Sequence, residues 1–213
     1  CDKLVKSYIE KDNRIVYIKN DERKGKFKAR IQGAQKATGD YIAFLDADNY
    51  ASIDFYRNAI NNAQTNNSEI VIGDIVYEQE NGDKYIYNLM QLPLKTIEGK
   101  ECFIKFFEQN GLNPFWNKIW NKIYAKEIFD KALNALQKFE NDVNYTAEFV
   151  LSTMLFYYAR KVTKIDKNVM QAAGGASFGT GGMRTKLKAA KLAVSKGINT
   201  VQMVNHLIFF IKF

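Results

Sequence analysis

Two carboxylates one residue apart, Asp46 and Asp48, carry the strongest chemical signal in this sequence of 213 residues. They directly follow Tyr41–Leu45, a nearly continuous apolar run that is typical of a strand buried on both faces. In open α/β sheets, ligands bind beyond the carboxyl ends of the strands. Mg²⁺ and Mn²⁺ take such hard oxygen ligands together with phosphate oxygens, so the pair predicts a metal site that would stabilise a diphosphate leaving group. Alternatively, the two acids only end the strand and cap a helix that Ser52 opens.

A second group with possible chemistry is the glycine-rich stretch 174–186 near the end of the chain. Successive glycines before a helix let backbone N–H groups approach an anion, and a lysine adds a point charge for phosphate. The Gly-Lys-Ser/Thr order of a Walker loop is absent. The candidate phosphate loop consists of Gly179, Gly181, Gly182 and Lys186. The alternative is a flexible glycine linker that leads into an amphipathic helix.

Apolar periodicity predicts the elements that must position these residues. Helices are predicted at 2–11, 26–36, 53–65, 98–109, 125–137 and 142–159, and strands at 14–18, 41–45, 69–77 and 84–87. Strands that alternate with crossover helices predict an α/β layered fold with a largely parallel sheet.

Composition excludes several classes of protein. With 46% hydrophobic and 25% charged residues, the chain is not collagen, a disordered tail or a disulfide scaffold. No apolar run approaches the ~18 residues that a membrane-spanning helix needs. Cys1 and Cys102 follow no metal or disulfide pattern, which favours a reducing compartment.

The net charge of +8 is unevenly distributed along the chain. Residues 169–213 contain six basic and no acidic side chains, whereas residues 1–168 contain 25 basic and 23 acidic ones. This shift predicts a division into a body, residues 1–168, and a glycine-rich basic tail, residues 169–213. Because most of the excess charge lies in the tail and no aromatic-basic motif accompanies it, we expect no nucleic-acid partner.

Residues 25–48 resemble the central stretch of family 2 glycosyltransferases, which have the nucleotide-sugar GT-A fold. The resemblance implies a metal-dependent, inverting transferase that moves a sugar from a nucleoside-diphosphate donor, such as a UDP-sugar, to a glycan, cell-surface polysaccharide or lipid-linked acceptor. It also implies that Asp48, assisted by Asp46, holds Mn²⁺ or Mg²⁺, and that Lys28 and Arg30 face the diphosphate. Asn49 departs from the pattern, since many members carry Asp there. The matching residues are Gly25, Lys28, Ala29, Arg30, Gly33, Ala37, Gly39, Asp40, Tyr41, Ile42, Phe44, Leu45, Asp46 and Asp48.

Two later segments extend the resemblance. Residues 120–129 are similar to the "W-N-K-L-[YF]-x-[KR]-x-[LI]-F" segment of capsule and cell-wall members, and residues 116–119 repeat its beginning. Either copy could be the equivalent, and the flank favours the second. Residues 139–143 stand where the family has "G-E-D-[VIL]", which places Asp142 on the catalytic base. Asn141 replaces the usual Glu, and the alternative for Asp142 is a helix N-cap or first-turn acid.

The family pattern also includes segments that this sequence does not contain. They are a strand with a Pro-x-Tyr-Asn-like turn and a second strand ending in Asp-Asp-Gly-Ser, which build the uracil and ribose part of the donor pocket. We therefore expect the chain to be truncated at its N-terminus and, alone, to bind a nucleotide sugar weakly or not at all. The resemblance implies a cytoplasmic protein that could associate peripherally with the inner face of the membrane.

The tail carries a separate resemblance. Residues 171–200 are similar to the "G-T-G-G-M-x-T-K-[LI]-x-A-A" signature of glutamate 5-kinase, in the amino acid kinase family. In that family the loop and its lysine contact ATP phosphates. The alternative functions are therefore a phosphotransferase fragment, or an inactive fragment with a basic anion-binding tail.

Overall fold

The computed structural model describes residues 2–22, 24–46, 49–78, 83–87, 96–112, 114–136, 147–173, 200–204 and 207–211. The α-helices are α1 (Asp2–Ile9), α2 (Gly25–Lys36), α3 (Phe55–Asn66), α4 (Glu101–Leu112), α5 (Lys126–Leu136) and α6 (Ala147–Tyr158), and a 3₁₀ helix spans Pro114–Asn117. The strands are β1 (Ile15–Lys19), β2 (Tyr41–Leu45), β3 (Asn49–Ala51), β4 (Ile70–Glu78), β5 (Lys84–Tyr87), β6 (Thr96–Glu98), β7 (Lys122–Ala125), β8 (Lys161–Ala173), β9 (Thr200–Val204) and β10 (Leu207–Ile211).

These ten described strands form one sheet, in the order β1-β10-β9-β2-β7-β4-β8-β3, with β5 paired to β4 and β6 paired to β8. The layered α/β architecture agrees with the sequence prediction, but the expectation of a largely parallel sheet is wrong. Within this sheet only the β2–β9 and β4–β8 pairings are parallel. The prediction rested on the alternation of strands and helices along the chain, which does not account for strands that the pattern fails to identify. The unpredicted strand β7 accounts for much of the difference, because it runs antiparallel between β2 and β4.

The tail contributes to the same sheet. Strand β8 runs across the predicted boundary at residue 168, and β9 and β10 lie between β1 and β2 in the strand order. β10 pairs antiparallel with β1, while β9 pairs parallel with β2. The division into residues 1–168 and 169–213 rests on composition and stays a prediction.

Strand β2 lies in the core and delivers the chain to Asp46. Four of its five residues, Ile42 to Leu45, are buried. It is flanked by β7 on one side and β9 on the other, so an apolar side chain is favoured at every one of these positions. Phe44 packs against Tyr124 and Phe129, with ring centroids 6.5 and 5.5 Å apart, which fixes β2 against β7 and α5.

Helix α2 is built for close packing. Gly25 begins it with a φ of 79°, a left-handed conformation that glycine adopts without steric cost. Its buried positions, Ala29, Gly33 and Ala34, are small and lie one turn apart, which lets the helix approach the core closely. The remaining buried residue of this helix is Arg30. Burial of a single cation among small side chains requires carboxylate partners.

Helix α3 follows the Asp46 segment and packs against the sheet. Its buried residues, Phe55, Tyr56, Ala59 and Ala63, recur at helical spacing, and Asn67 ends the helix in the left-handed conformation, with a φ of 53°. The N-cap position is Asp54, without a side-chain hydrogen bond, so the prediction that Ser52 caps this helix is wrong. None of the described helices is long and apolar enough to cross a membrane.

Candidate active site

A buried arginine organises the site at the carboxyl end of β2. The Arg30 side chain is 2% exposed, and its Nη2 donates to Asp46 Oδ1 at 2.6 Å. Its Nη1 donates to Glu148 Oε1. The guanidinium carbon lies 6.0 Å from the centroid of the Phe44 ring. Burial alone disfavours the charged form, but the two carboxylates outweigh that cost and raise the pKa of Arg30 above its usual value.

Asp46, the first carboxylate of the predicted metal pair, is held by two cations. Its Oδ1 accepts from Arg30, and its Oδ2 accepts from Lys26 Nζ at 3.0 Å. Burial opposes ionisation, yet the charges of Arg30 and Lys26 hold the pKa of Asp46 below its usual range. Asp46 is therefore ionised at neutral pH. Its position after a buried strand, which motivated the sequence prediction, puts it in contact with α2.

Glu148 is a site residue that the sequence analysis missed. It lies in the first turn of α6, where an acidic side chain is also favoured by the helix dipole. Besides Arg30, it faces Lys26 Nζ at 3.7 Å and Lys118 Nζ at 3.8 Å. No local motif marks it, since its partners lie 30 or more positions away in the chain. The one available signal for Glu148 is that Arg30, once buried, would carry an incompletely paired charge without a further carboxylate.

The site therefore brings together residues from three separate parts of the chain: α2, the end of β2 and α6. To these the segment that follows the 3₁₀ helix adds Lys118, whose side chain is 43% exposed. We call these five side chains the ion network: Lys26, Arg30, Asp46, Lys118 and Glu148. Lys28, which was predicted to face a diphosphate, is exposed on α2 and is not a member of this network.

Another lysine, Lys122, lies four positions after Lys118 in the sequence and is fully buried at the start of β7. Its Nζ donates to Asn121 Oδ1 at 2.7 Å and to the backbone carbonyl of Lys118. Asn121 is also fully buried and donates from Nδ2 to the carbonyl of Gly73 at 3.0 Å. Burial lowers the pKa of Lys122 to about 7; the charge of Lys118 acts in the same direction and that of Glu148 opposes it.

Asn121 is hydrogen-bonded to Gly73 at the point where the register of the β4–β8 pairing shifts. The backbone N–H of Gly73 donates to the carbonyl of Asn121 at 2.9 Å, complementing the side-chain bond in the other direction. The β4–β8 pairing slips between Ile72 and Asp74, on either side of this glycine. Trp116 and Trp120 are both core residues, 1% and 4% exposed.

Several predicted site residues lie outside the described part of the chain. They are Asp48, Asp142 and the tail residues Gly179, Gly181, Gly182 and Lys186. Their roles as metal ligand, general base and phosphate loop stay predictions. Among the described residues, no group of three or more His, Cys, Asp or Glu side chains could hold a metal ion. The metal site on Asp46 and Asp48 stays a prediction.

Comparison with known proteins gives several extended matches to glycosyltransferases and shorter matches as well. The family model for glycosyl transferase family 2 matches residues 1–139. The uncharacterized glycosyltransferase EpsJ of Bacillus subtilis is 26% identical over 166 residues, which cover 78% of this chain and 46% of that protein. Glycosyltransferase GlyA of Streptococcus pneumoniae is 22% identical over 174 residues, which cover 76% of this chain and 24% of that protein. The chain thus spans less than half the length of these two relatives.

One short match is to glutamate 5-kinase of Clostridium tetani, which is 59% identical over 39 residues, 17% of this chain and 15% of the kinase. Among solved structures, residues 1–349 of S. aureus TarS superpose with a TM-score of 0.50 at 13% identity, covering 71% of this chain and 41% of that one. This likeness concerns the fold alone. Together with the family match, it confirms the predicted α/β GT-A fold.

Proposed function

Because this chain belongs to glycosyl transferase family 2, we propose that it carries the donor-side part of a transferase site. The reaction moves a sugar from a nucleoside-diphosphate sugar, such as a UDP-sugar, to a glycan, polysaccharide or lipid-linked acceptor with inversion. A cytoplasmic location, with peripheral association at the inner face of the membrane, belongs to the same proposal.

The observation that carries this proposal is the buried Arg30–Asp46 pair at the end of β2. A buried guanidinium bonded to a carboxylate at 2.6 Å fixes the backbone at Asp46, two residues before Asp48. A carboxylate at that point of an α/β sheet faces the region where ligands bind. The pair thus holds the Asp46 side chain at the edge of the sheet where a ligand would bind.

The metal requires hard oxygen donors, and the residues present supply them. Both Asp46 oxygens already accept from cations, so Asp48 would be the main ligand, with Asp46 contributing through its remaining lone pairs. Bound there, Mn²⁺ or Mg²⁺ would offset the negative charge that develops on the departing nucleoside diphosphate.

Asp142 would act as the general base. It takes the proton of the acceptor hydroxyl as that oxygen attacks the anomeric carbon, and the bond from that carbon to the diphosphate oxygen breaks. An ordinary Asp is already ionised at pH 7, so this role depends on position. Glu148, six residues later in the sequence, pairs with Arg30 in the ion network.

A donor-hydrolysis assay with and without Mn²⁺ tests the proposal. We expect Asp48→Asn and Asp142→Asn to reduce hydrolysis of a UDP-sugar at least about 100-fold, as for loss of a metal ligand or a general base. Asp130→Asn is the matched control, since Asp130 lies in an ion pair with Lys126 on α5, away from the network. If both site variants hydrolyse the donor as fast as the control, these two residues do not carry the reaction.

A further inference from the structure

The ion network has one cation more than it has carboxylates. Among the described residues, Lys26, Arg30 and Lys118 pair with Asp46 and Glu148, so these five side chains have a net charge of +1. Arg30 cannot supply this excess to a ligand, because it is 2% exposed and each of its two paired nitrogens is bonded to a carboxylate. The excess charge therefore belongs to the two lysines.

Lys26 and Lys118 approach different oxygens of the same carboxylate. Lys26 Nζ lies 3.7 Å from Glu148 Oε1, and Lys118 Nζ lies 3.8 Å from Glu148 Oε2. These separations are longer than a good charged hydrogen bond, and the lysine side chains are 54% and 43% exposed. Exposed pairs of this kind contribute little stability, so exchanging Glu148 for another anion would cost little.

The two lysines lie on separate elements, which suits an anion with two charged centres. Lys26 is in the first turn of α2, and Lys118 follows the 3₁₀ helix, 92 positions later in the sequence. An ammonium group on a flexible stem follows a phosphate as a point charge, without the fixed geometry of arginine. Both lysines adjoin Asp46 or its partner Glu148, the place to which the proposed function assigns the leaving diphosphate.

We propose that Lys26 and Lys118 form a two-lysine clamp for the diphosphate of the donor. Until the donor binds, Asp46 and Glu148 hold the ammonium group of Lys26, and Glu148 holds that of Lys118. This inference rests on the proposed function for the identity of the anion. Arg30 keeps its bonds to Asp46 and Glu148 throughout, so the exchange leaves the buried part of the network intact. The clamp replaces Lys28 and Arg30 as the predicted diphosphate contacts.

The test is a titration of the full chain with pyrophosphate and with UDP, followed by NMR of the lysine side chains so that weak binding is measured. We expect Lys26→Gln and Lys118→Gln each to raise the dissociation constant about fivefold, as for loss of one partly exposed charged contact. Lys118→Arg keeps the charge and should bind within about twofold of wild type. Lys131→Gln, which breaks a surface ion pair with Glu127 on α5, is the matched control and should bind as wild type does.

The outcomes separate this inference from the proposed function. Unchanged dissociation constants in both glutamine variants, or loss of binding in the Lys131 control to the same extent, would overturn the clamp. The same holds if wild type binds neither probe. Donor hydrolysis measured in parallel reports on the proposed function by itself. If the donor is hydrolysed but binding of the two probes does not depend on Lys26 and Lys118, only the clamp is overturned. If binding depends on the two lysines but no donor is hydrolysed, only the proposed transferase function is overturned.

Discussion

The chain contains the tetrapeptide Trp-Asn-Lys-Ile twice in succession, at residues 116–119 and 120–123, and the two copies have different structures. Their apolar members behave alike: Trp116, Ile119, Trp120 and Ile123 are all buried. Their lysines do not. The Lys118 side chain is 43% exposed and faces Glu148, while Lys122 is fully buried. Identical residues therefore supply a surface cation in the first copy and a core hydrogen-bond donor in the second.

The backbone explains the difference. The first copy begins in the 3₁₀ helix Pro114–Asn117 and ends in a bend, whereas the second copy begins in a turn and ends in strand β7, which begins at Lys122. β7 is flanked by β2 and β4, so its side chains enter the core on both faces. The two copies are also coupled, because Lys122 donates to the backbone carbonyl of Lys118. The tetrapeptide motif therefore fixes which chemical groups are present, while the neighbouring strands determine the exposure of those groups.

Substitution of either tryptophan should give the largest loss of stability, and the loss should be similar for the two copies of the tetrapeptide. Trp116→Ala and Trp120→Ala are each expected to lower the free energy of unfolding by about 3–5 kcal/mol, since each leaves a large cavity in the core. Urea denaturation measures this. Tyr157→Ala, at an aromatic residue that is 60% exposed, is the control and should cost much less. A small loss at one tryptophan would show that its copy is not part of the core.

The lysines of the two copies should differ in how their substitution changes the pH dependence of stability. Burial lowers the pKa of Lys122 to about 7, below the 10.5 of the unfolded chain, so between these values the unfolded state binds more protons. The free energy of unfolding therefore rises with pH across that window, by up to about 1.4 kcal/mol per pH unit. The same stability is lost as the pH falls towards 7. Relative to Lys122→Met, wild type should gain roughly 3 kcal/mol between pH 7 and pH 10.

Urea denaturation of the two proteins at several pH values measures this difference. Asn117→Ala, which removes no titratable group, is the control from the first copy, and its difference from wild type should stay nearly constant over the same range. A difference between wild type and Lys122→Met that does not change with pH would mean that Lys122 is not a buried titrating group.

The asparagines should separate the copies by a smaller amount. Asn121→Ala removes a buried hydrogen bond to the Gly73 carbonyl and the acceptor of Lys122, and is expected to cost about 2 kcal/mol. In the first copy, the backbone carbonyl of Asn117 accepts from Ser152 Oγ, a contact that survives the change to alanine. Asn117→Ala should therefore cost about 1 kcal/mol or less. Equal losses at the two positions would remove the distinction.

The smallest effect on stability is expected for Lys118 itself. Lys118→Gln breaks one long, partly exposed ion pair, so the free energy of unfolding should change by less than about 0.5 kcal/mol. Thermal unfolding of wild type and variant at one pH measures this. A larger loss would place Lys118 in the structural part of the network, together with Arg30, and would argue against the clamp.

Much of the fold could be predicted from local pattern. Strand β2 has the predicted bounds, and the structure begins α2 one residue before the prediction. Apolar periodicity identified these elements because each buries one face or both. Strand direction was predicted wrongly, and β7 was missed. Its sequence was interpreted only as part of a family motif, and its four residues are too few to show a period.

The site was predictable only in part. The position of Asp46 after a buried strand followed from sequence, whereas Lys28 and Arg30 were equivalent charges on a predicted helix. In the structure Arg30 is buried and Lys28 is exposed. Two residues apart on a helix, they point in directions about 200° apart, and only the location of the core determines which of them needs a carboxylate.

The sequence by itself determined the family, the elements around β2 and the acid pair that follows it, because these depend on residue type and short-range spacing. Only the tertiary structure decided that Glu148 joins Arg30, that Lys118 faces the site and that Lys122 does not. The physical reason is that a charge must be paired where water is excluded, and exclusion of water is a property of packed elements distant in sequence. Pairing across 118 positions, as between Arg30 and Glu148, leaves no local trace in the chain.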